Sequence, residues 1–204
     1  MFMMIPNLEN YFRGFIPPRD GLLLELEEEA TREAIPIVGP VVGELLYILA
    51  RLAGAKNILE LGTASGYSAI YLARALPPGG RVITLEMSED MARRAEANFT
   101  RAGLADQIEV RRGQALELMA DMTETFDLIF LDIDKESYLP ALAHCRRLLK
   151  AGGLLAADNV GFAGAADFNR EIFTQGGWRV VQLFSFLPLH SPEQDGLCLA
   201  LRQE

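Results

Sequence analysis

From residue 58 onward the chain alternates short apolar runs with longer stretches in which apolar residues recur at helical spacing. Ile58–Leu61, Val82–Leu85, Ile108–Val110, Leu128–Leu131 and Leu154–Ala157 read as strands. Between them, Tyr67–Ala75, Glu89–Ala102, a short stretch near Ala115–Met119 and Tyr138–Leu149 read as helices. "LPPGG", Gly103 and "AGG" supply stops. Strands that alternate with helices and lack polar alternation predict an α/β fold, a parallel sheet covered on both faces. The rhythm changes at the end. Val180–Phe186 and Leu197–Leu201 are two strand-like runs whose connection is too short for a long helix, so they are expected to pair antiparallel. Upstream, Leu22–Ala34 ("LLLELEEEATREA") reads as a helix with a solvated acidic face, and Val41–Leu52 as a helix ended by Gly54.

The 204 residues suit one domain, with an N-terminal helical segment over 1–54 and an α/β core over 55–204. Hydrophobic residues make up 50% and charged residues 23%, a globular composition. A net charge of −9 argues against a broad phosphate-binding face, because nucleic-acid binders usually carry a basic patch. Cys145 in a helical pattern and Cys198 in a strand pattern form neither a disulfide framework nor a metal pair, and read as small core hydrophobes. The start "MFMMIPNLENYF" lacks the basic opening and long apolar segment of a secretion signal. The apolar stretch from Pro36 to Ala55 is broken by Pro40, Glu44 and Arg51, so no membrane span is expected and the cytoplasm is the expected compartment.

In an open α/β sheet, ligands bind at the carboxyl ends of the strands. The first strand end, in "ILELGTASGYSAIYLA" (Ile58 to Ala73), brings Glu60, Gly62 and Gly66, then Tyr67 and Ser68 at a helix start. Glycines there let a ligand approach the backbone, and helix amides can face a carboxylate; an ordinary tight turn is the competing reading. Glu86 ends the second strand, 24 residues past Gly62, where an acid can accept from both hydroxyls of a ribose; otherwise it caps the helix that starts at Ser88–Asp90. Asp132 ends the fourth strand, and Asp158 with Asn159 ends the fifth. Two carboxylates and an amide oxygen suit Mg²⁺, Ca²⁺ or Mn²⁺, although each residue alone is also a common turn former. Lys135 follows Asp132 by three residues, where a nearby cation would favour the neutral amine and a general-base role; a solvated surface lysine is the alternative.

Together "ILELGTASGYSAIYLA", "EANFTRAGL", "FDLIFLDIDKESY", "GGLLAADNV" and the closing "DGLCLALR" resemble the cation-dependent class I O-methyltransferases, the group of the catechol and caffeoyl-coenzyme A enzymes. The likeness runs from about Ile37 to Val160. It implies a Rossmann-like class I methyltransferase sheet, mostly parallel with an antiparallel C-terminal strand pair, and S-adenosylmethionine as cofactor. By the same resemblance Glu60 faces the methionine amino group, Ser68 its carboxylate, Glu86 the ribose, and Gln114 and Ala115 the adenine region. Val38, Gly62, Tyr67, Met87 and Asp132 complete the implied cofactor contacts. Asp132, Asp158 and Asn159 match the ligands of a divalent cation, magnesium first and manganese or calcium as alternatives, with Lys135 in the base position. The pattern departs at Pro188, which stands where the catechol enzymes place a substrate-holding glutamate. It departs again at "VGFAG", which lacks a tryptophan common after the Asp-Asn pair, and at the longer "LPLHSPEQDG" connection.

The reading that follows is a metal-dependent O-methyltransferase for a small phenolic acceptor with adjacent oxygens. Alternatives are methylation of a hydroxylated tRNA uridine, which the acidic balance disfavours, a non-catalytic nucleoside-binding protein, and an NAD-linked oxidoreductase. A homodimer is expected from the resemblance and from the apolar run Leu183–Leu189 near the antiparallel edge.

Overall fold

The computed structural model describes residues 3–204; Met1 and Phe2, where the segment expected to lack a secretion signal begins, lie outside the described residues. Strands β1 (Asn57–Leu61), β2 (Arg81–Glu86), β3 (Ile108–Arg112), β4 (Phe126–Leu131), β5 (Leu149–Ala157), β6 (Trp178–Phe186) and β7 (Gln194–Arg202) form a seven-stranded sheet in the order β3-β2-β1-β4-β5-β7-β6. The first five strands run parallel, and β7 pairs antiparallel with both β5 and β6. The α-helices are α1 (Leu8–Phe12), α2 (Gly21–Glu33), α3 (Gly39–Leu52), α4 (Tyr67–Ala75), α5 (Glu89–Arg101), α6 (Ala115–Asp121), α7 (Tyr138–Leu148) and α8 (Ala166–Thr174), and short 3₁₀ turns lie at Arg13–Phe15, Lys135–Ser137 and Ala163–Ala165.

The alternation of β1 sorts two cores. Ile58 packs with Val42, Leu46, Ile70 and Phe99 beneath α3, α4 and α5. Leu59 and Leu61 point the other way, into a core with Tyr138, Leu142, Phe168 and Ile172 from α7 and α8. Glu60 shares the Ile58 face by the strand's period of two, so a carboxylate is carried into an apolar layer. Register places it opposite Thr84 of β2.

The parallel strands leave the sheet side by side at their carboxyl ends, joined by ladder-like bonds. Gly62 N donates to Leu85 O at 3.0 Å, Asp132 N to Leu61 O at 2.9 Å and Asp158 N to Leu131 O at 3.1 Å. β1 and β4 flank the point where strand order reverses, which opens a crevice there.

Three features differ from the sequence reading. "AGG" does not stop a helix followed by a loop: α7 ends at Leu148 and runs directly into β5, which contains Ala151, Gly152 and Gly153. A helix, α8, occupies the "GAADFNREIFTQ" region that carried no expectation, and it buries Phe168 and Ile172, one helical turn apart. The acidic face of α2 is only partly solvated, since Glu27 accepts a fork from Arg19 and the Tyr67 hydroxyl bonds it at 2.6 Å. Cys145 and Cys198 are buried and free, as expected, and burial pushes each thiol up to about 12. No helix among the described residues is long and apolar enough to cross a membrane.

Candidate active site

The glycine turn is set by crowding. Gly62 has φ +93°, and a Cβ there would stand 2.0 Å from the Asp132 carbonyl oxygen; Gly66 has φ +87°, and a Cβ would meet the Phe99 ring at 2.4 Å. Only glycine tolerates both the left-handed backbone and the missing space. These glycines are therefore demanded by the exit of β4 and by Phe99, before any ligand is considered.

Glu86 braces that turn. Its Oε2 accepts from Thr63 N (3.2 Å) and Ala64 N (2.9 Å), and its Oε1 from Ser88 N (2.8 Å). The helix-capping role falls instead to Ser88, whose hydroxyl accepts from Met91 N. Glu86 thus ties the β1 turn to the β2 exit and still borders the crevice.

A cavity of about 830 Å³ fills the crevice. Val38, Gly62, Tyr67, Ser68, Glu86, Met87, Gln114 and Ala115 line one part of it, and Asp132, Lys135, Asp158 and Asn159 the other. The sequence candidates converge there, apart from the turn glycine Gly66 and Glu60. Glu60 does not line the cavity: its side chain is fully buried, in a residue 0% exposed. Its Oε2 accepts from the Thr84 hydroxyl at 2.6 Å, and Thr84 Oγ1 lies 2.6 Å from Thr63 Oγ1. Its Oε1 is buried with no partner. Burial pushes the Glu60 carboxyl up to about 8, against the opposing effect of the Ser68 and Thr84 hydroxyls. An unpartnered carboxylate oxygen beside the wall residue Ser68 is a place where an ammonium group would supply the missing donor.

The acidic end is densely wired. Lys135 Nζ donates to Asp132 Oδ1 (2.9 Å), Ile133 O (2.9 Å) and Tyr138 Oη (3.0 Å), which uses all three protons of an ammonium. Asp158 Oδ1 accepts from Asn159 N at 2.8 Å, and its Oδ2 faces His190 Nε2 at 2.8 Å. Asn159, held at φ +51°, donates through Nδ2 to Asp195 Oδ2 at 2.6 Å. Its Oδ1 makes no hydrogen bond among the described residues. Burial pushes Asp132 up, the Lys135 charge opposes this, and the Asp158 carboxylate adds to it. Burial alone would lower the His190 pKa, yet the bond to Asp158 and its charge leave it raised.

His190 and Asp195 were not singled out from the sequence. One of only two histidines, set in a connection with two prolines, was the available signal for His190. Asp195 was visible only as the start of "DGLCLALR". Among the described residues no three His, Cys, Asp or Glu side chains gather as a metal-holding group, so an oxygen cage here depends on Asn159.

A sheet of this order, with a glycine turn on the first strand, an acid ending the second and acids ending the fourth and fifth, defines a Rossmann-like methyltransferase. The comparisons narrow the class. Residues 19–177 match a family model described as O-methyltransferase. A catechol O-methyltransferase of Niastella koreensis is 40% identical over 160 residues, covering 76% of this chain and 72% of that protein. A mouse catechol O-methyltransferase is 33% identical over 174 residues, and the match spans 65% of its length. The crystal structure of an O-methyltransferase from Bacillus cereus in complex with SAH aligns with a TM-score of 0.86 at 32% identity, covering 96% of this chain and 97% of that one. The chain belongs to the O-methyltransferase family, and it is an S-adenosylmethionine-dependent enzyme of that family.

Proposed function

We propose that this enzyme methylates one hydroxyl of a small catechol-like acceptor with adjacent oxygens, that it needs a divalent cation to do so, and that residues 1–204 act as one catalytic domain. The observation that carries the reading is the convergence on one cavity of two chemically different halves. Glu86, Ser68 and Gln114 border a half suited to a nucleoside and amino acid, while Asp132, Asp158 and Asn159 border an oxygen-rich half. Curated relatives named for catechol and for caffeoyl-CoA support the acceptor class.

The residues fit both groups. Glu60 offers an orphaned buried oxygen for a cationic centre. Asn159 has its amide nitrogen engaged by Asp195 and its oxygen unbonded, which suits a cation ligand. S-adenosylmethionine brings the electrophilic methyl group. A divalent cation held by Asp132, Asp158 and Asn159 would lower the pKa of an acceptor hydroxyl. Lys135 is the group placed to receive that proton at Nζ once it has given up one of its own, while Asp132 and Tyr138 keep the nitrogen at the cavity wall. Phe162, Ile37 and Pro36 add apolar surface to the cavity for an aromatic ring. Keeping acceptor and methyl donor in one crevice supplies much of the acceleration by proximity.

The protein is proposed to work as a homodimer. Edge strand β6 exposes Val181, Leu183 and Phe184, the last 80% exposed, next to no further strand among the described residues.

The test is methyl-ether formation followed by mass spectrometry over catechols, flavonoids and hydroxyuridine-containing tRNA. Product from a catechol in the presence of Mg²⁺, lost with chelator and restored by excess metal, is expected. Chelator-insensitive transfer would refute the metal requirement, and product from the tRNA alone would replace the acceptor class.

A further inference from the structure

The connection between β6 and β7 is not slack. Leu187 N donates to Glu193 O at 2.7 Å and closes residues 187–193 into a loop. The loop is pressed onto the start of α3, because a Cβ on Gly39 would lie 2.5 Å from the Leu189 carbonyl oxygen. Asn159 Nδ2 reaches Ser191 O at 3.4 Å. His190 and Ser191 of this loop line the cavity beside Asp158 and Asn159. One side chain crosses from the loop to the acid cluster. His190 faces Asp158 Oδ2 through Nε2 at 2.8 Å and the Pro192 carbonyl through Nδ1 at 2.6 Å, and both partner side chains are 1% exposed.

We propose that His190 is a positioning residue: it locks the Asp158 carboxylate in one orientation and couples that orientation to the loop that walls the acceptor end of the cavity. The inference rests on the reading of Asp158 as a ligand of a divalent cation. With Asn159 N on Oδ1 and His190 on Oδ2, the carboxylate is held at both oxygens and cannot rotate about its own axis. A metal ligand oriented by a hydrogen-bonded partner binds more tightly than a free one, and loss of such a partner commonly weakens metal binding or activity by about 10–100-fold. The same bond holds the loop down over Asp158. Metal affinity and acceptor affinity are therefore tied together through one imidazole, whose two ring hydrogen bonds go to Asp158 and Pro192 and to no residue of the cofactor half.

Two amides dissect the ring. His190→Gln can place a donor where Nε2 stands and keep the bond to Asp158. His190→Asn reaches only the Nδ1 position and the Pro192 carbonyl. Mg²⁺ and Mn²⁺ titrated by calorimetry into the 204-residue chain should bind His190→Asn about 10–100-fold more weakly than the parent. The acceptor KM should rise in the same variant, S-adenosylmethionine affinity should hold, and His190→Gln should restore most of both losses. A His190→Asn variant equal to the parent in metal affinity and acceptor KM overturns the inference, and so do equal losses in the two variants. A parent that binds no divalent ion removes the metal reading and the inference with it; normal binding in the parent with no effect of His190→Asn removes the inference alone. The unmutated protein gives a second readout that does not depend on a variant folding. The ¹⁵N resonances of the His190 ring should shift as Mg²⁺ saturates the site, and a ring signal that stays fixed through saturation overturns the coupling.

Discussion

Glu86→Gln tests the site at its most constrained acid. In the protein the carboxylate accepts three backbone N–H groups, two on Oε2 and one on Oε1. Glutamine keeps the shape but only one oxygen. Its better orientation leaves that oxygen with Thr63 N and Ala64 N, and turns an NH₂ toward the Ser88 amide. One bond to a charged acceptor is lost and two donors are left facing each other. A hydrogen bond to a charged group is worth about 1.5–3 kcal/mol, and a buried donor without a partner costs a similar amount. Glu86 still borders an open cavity, so water relieves part of this, and a net loss of about 1–3 kcal/mol is expected. For a domain of this size that lowers Tm by about 2–4 °C per kcal/mol. Cofactor affinity should fall as well, since an uncharged oxygen that is already shared is a weaker acceptor for ribose hydroxyls. Melting of the cofactor-free variant reads the first effect and calorimetry with S-adenosylmethionine reads the second. A variant that melts with the parent would refute the bracing role. A melt that drops while cofactor affinity is unchanged would leave Glu86 a structural residue and strike it from the binding site.

Glu60→Gln should change the pH dependence of the cofactor-free protein. The Glu60 carboxyl is raised from 4.5 to about 8, so the folded state keeps a proton that the unfolded chain has lost between those values. Folding is then penalised progressively as pH rises from 4.5 to 8, by at most about 1.4 kcal/mol per unit, and glutamine removes the penalty. The variant should gain on the parent between pH 5 and 8 in urea unfolding, and a difference independent of pH would contradict the raised value. Lys135→Met should cut turnover by about 10²–10⁴-fold at saturating metal and cofactor, and should recover partly at high pH; a variant at full kcat in a pH–rate profile ends the general-base role. Asp158→Ala should lose divalent-cation binding in calorimetry while S-adenosylmethionine still binds, and unchanged metal affinity would dismiss Asp158 as a ligand.

Much of the molecule is written in short-range patterns. The strand runs at Ile58, Val82, Ile108 and Leu128 and the helices between them depend on periodicity and on stops such as Gly103, which act within a few residues. The elements they predict agree with the structure to within a few residues, apart from the later start assigned to β5. The carboxyl-end rule then gathers Gly62, Glu86, Asp132 and Asp158 from linear order alone, because parallel strands all end on one edge. Helix α8 left a short signal that went unassigned: Phe168 and Ile172 stand four residues apart in a nine-residue amphipathic run. The wiring of the site belongs to tertiary structure. Register sets Thr84 against Glu60 and so buries a carboxylate that the resemblance places against the methionine amino group. Contacts across 32 and 36 positions bring His190 to Asp158 and Asp195 to Asn159. Nothing local encodes those pairs. They exist because β7 inserts antiparallel between β5 and β6 and carries its preceding loop back over the ends of β4 and β5.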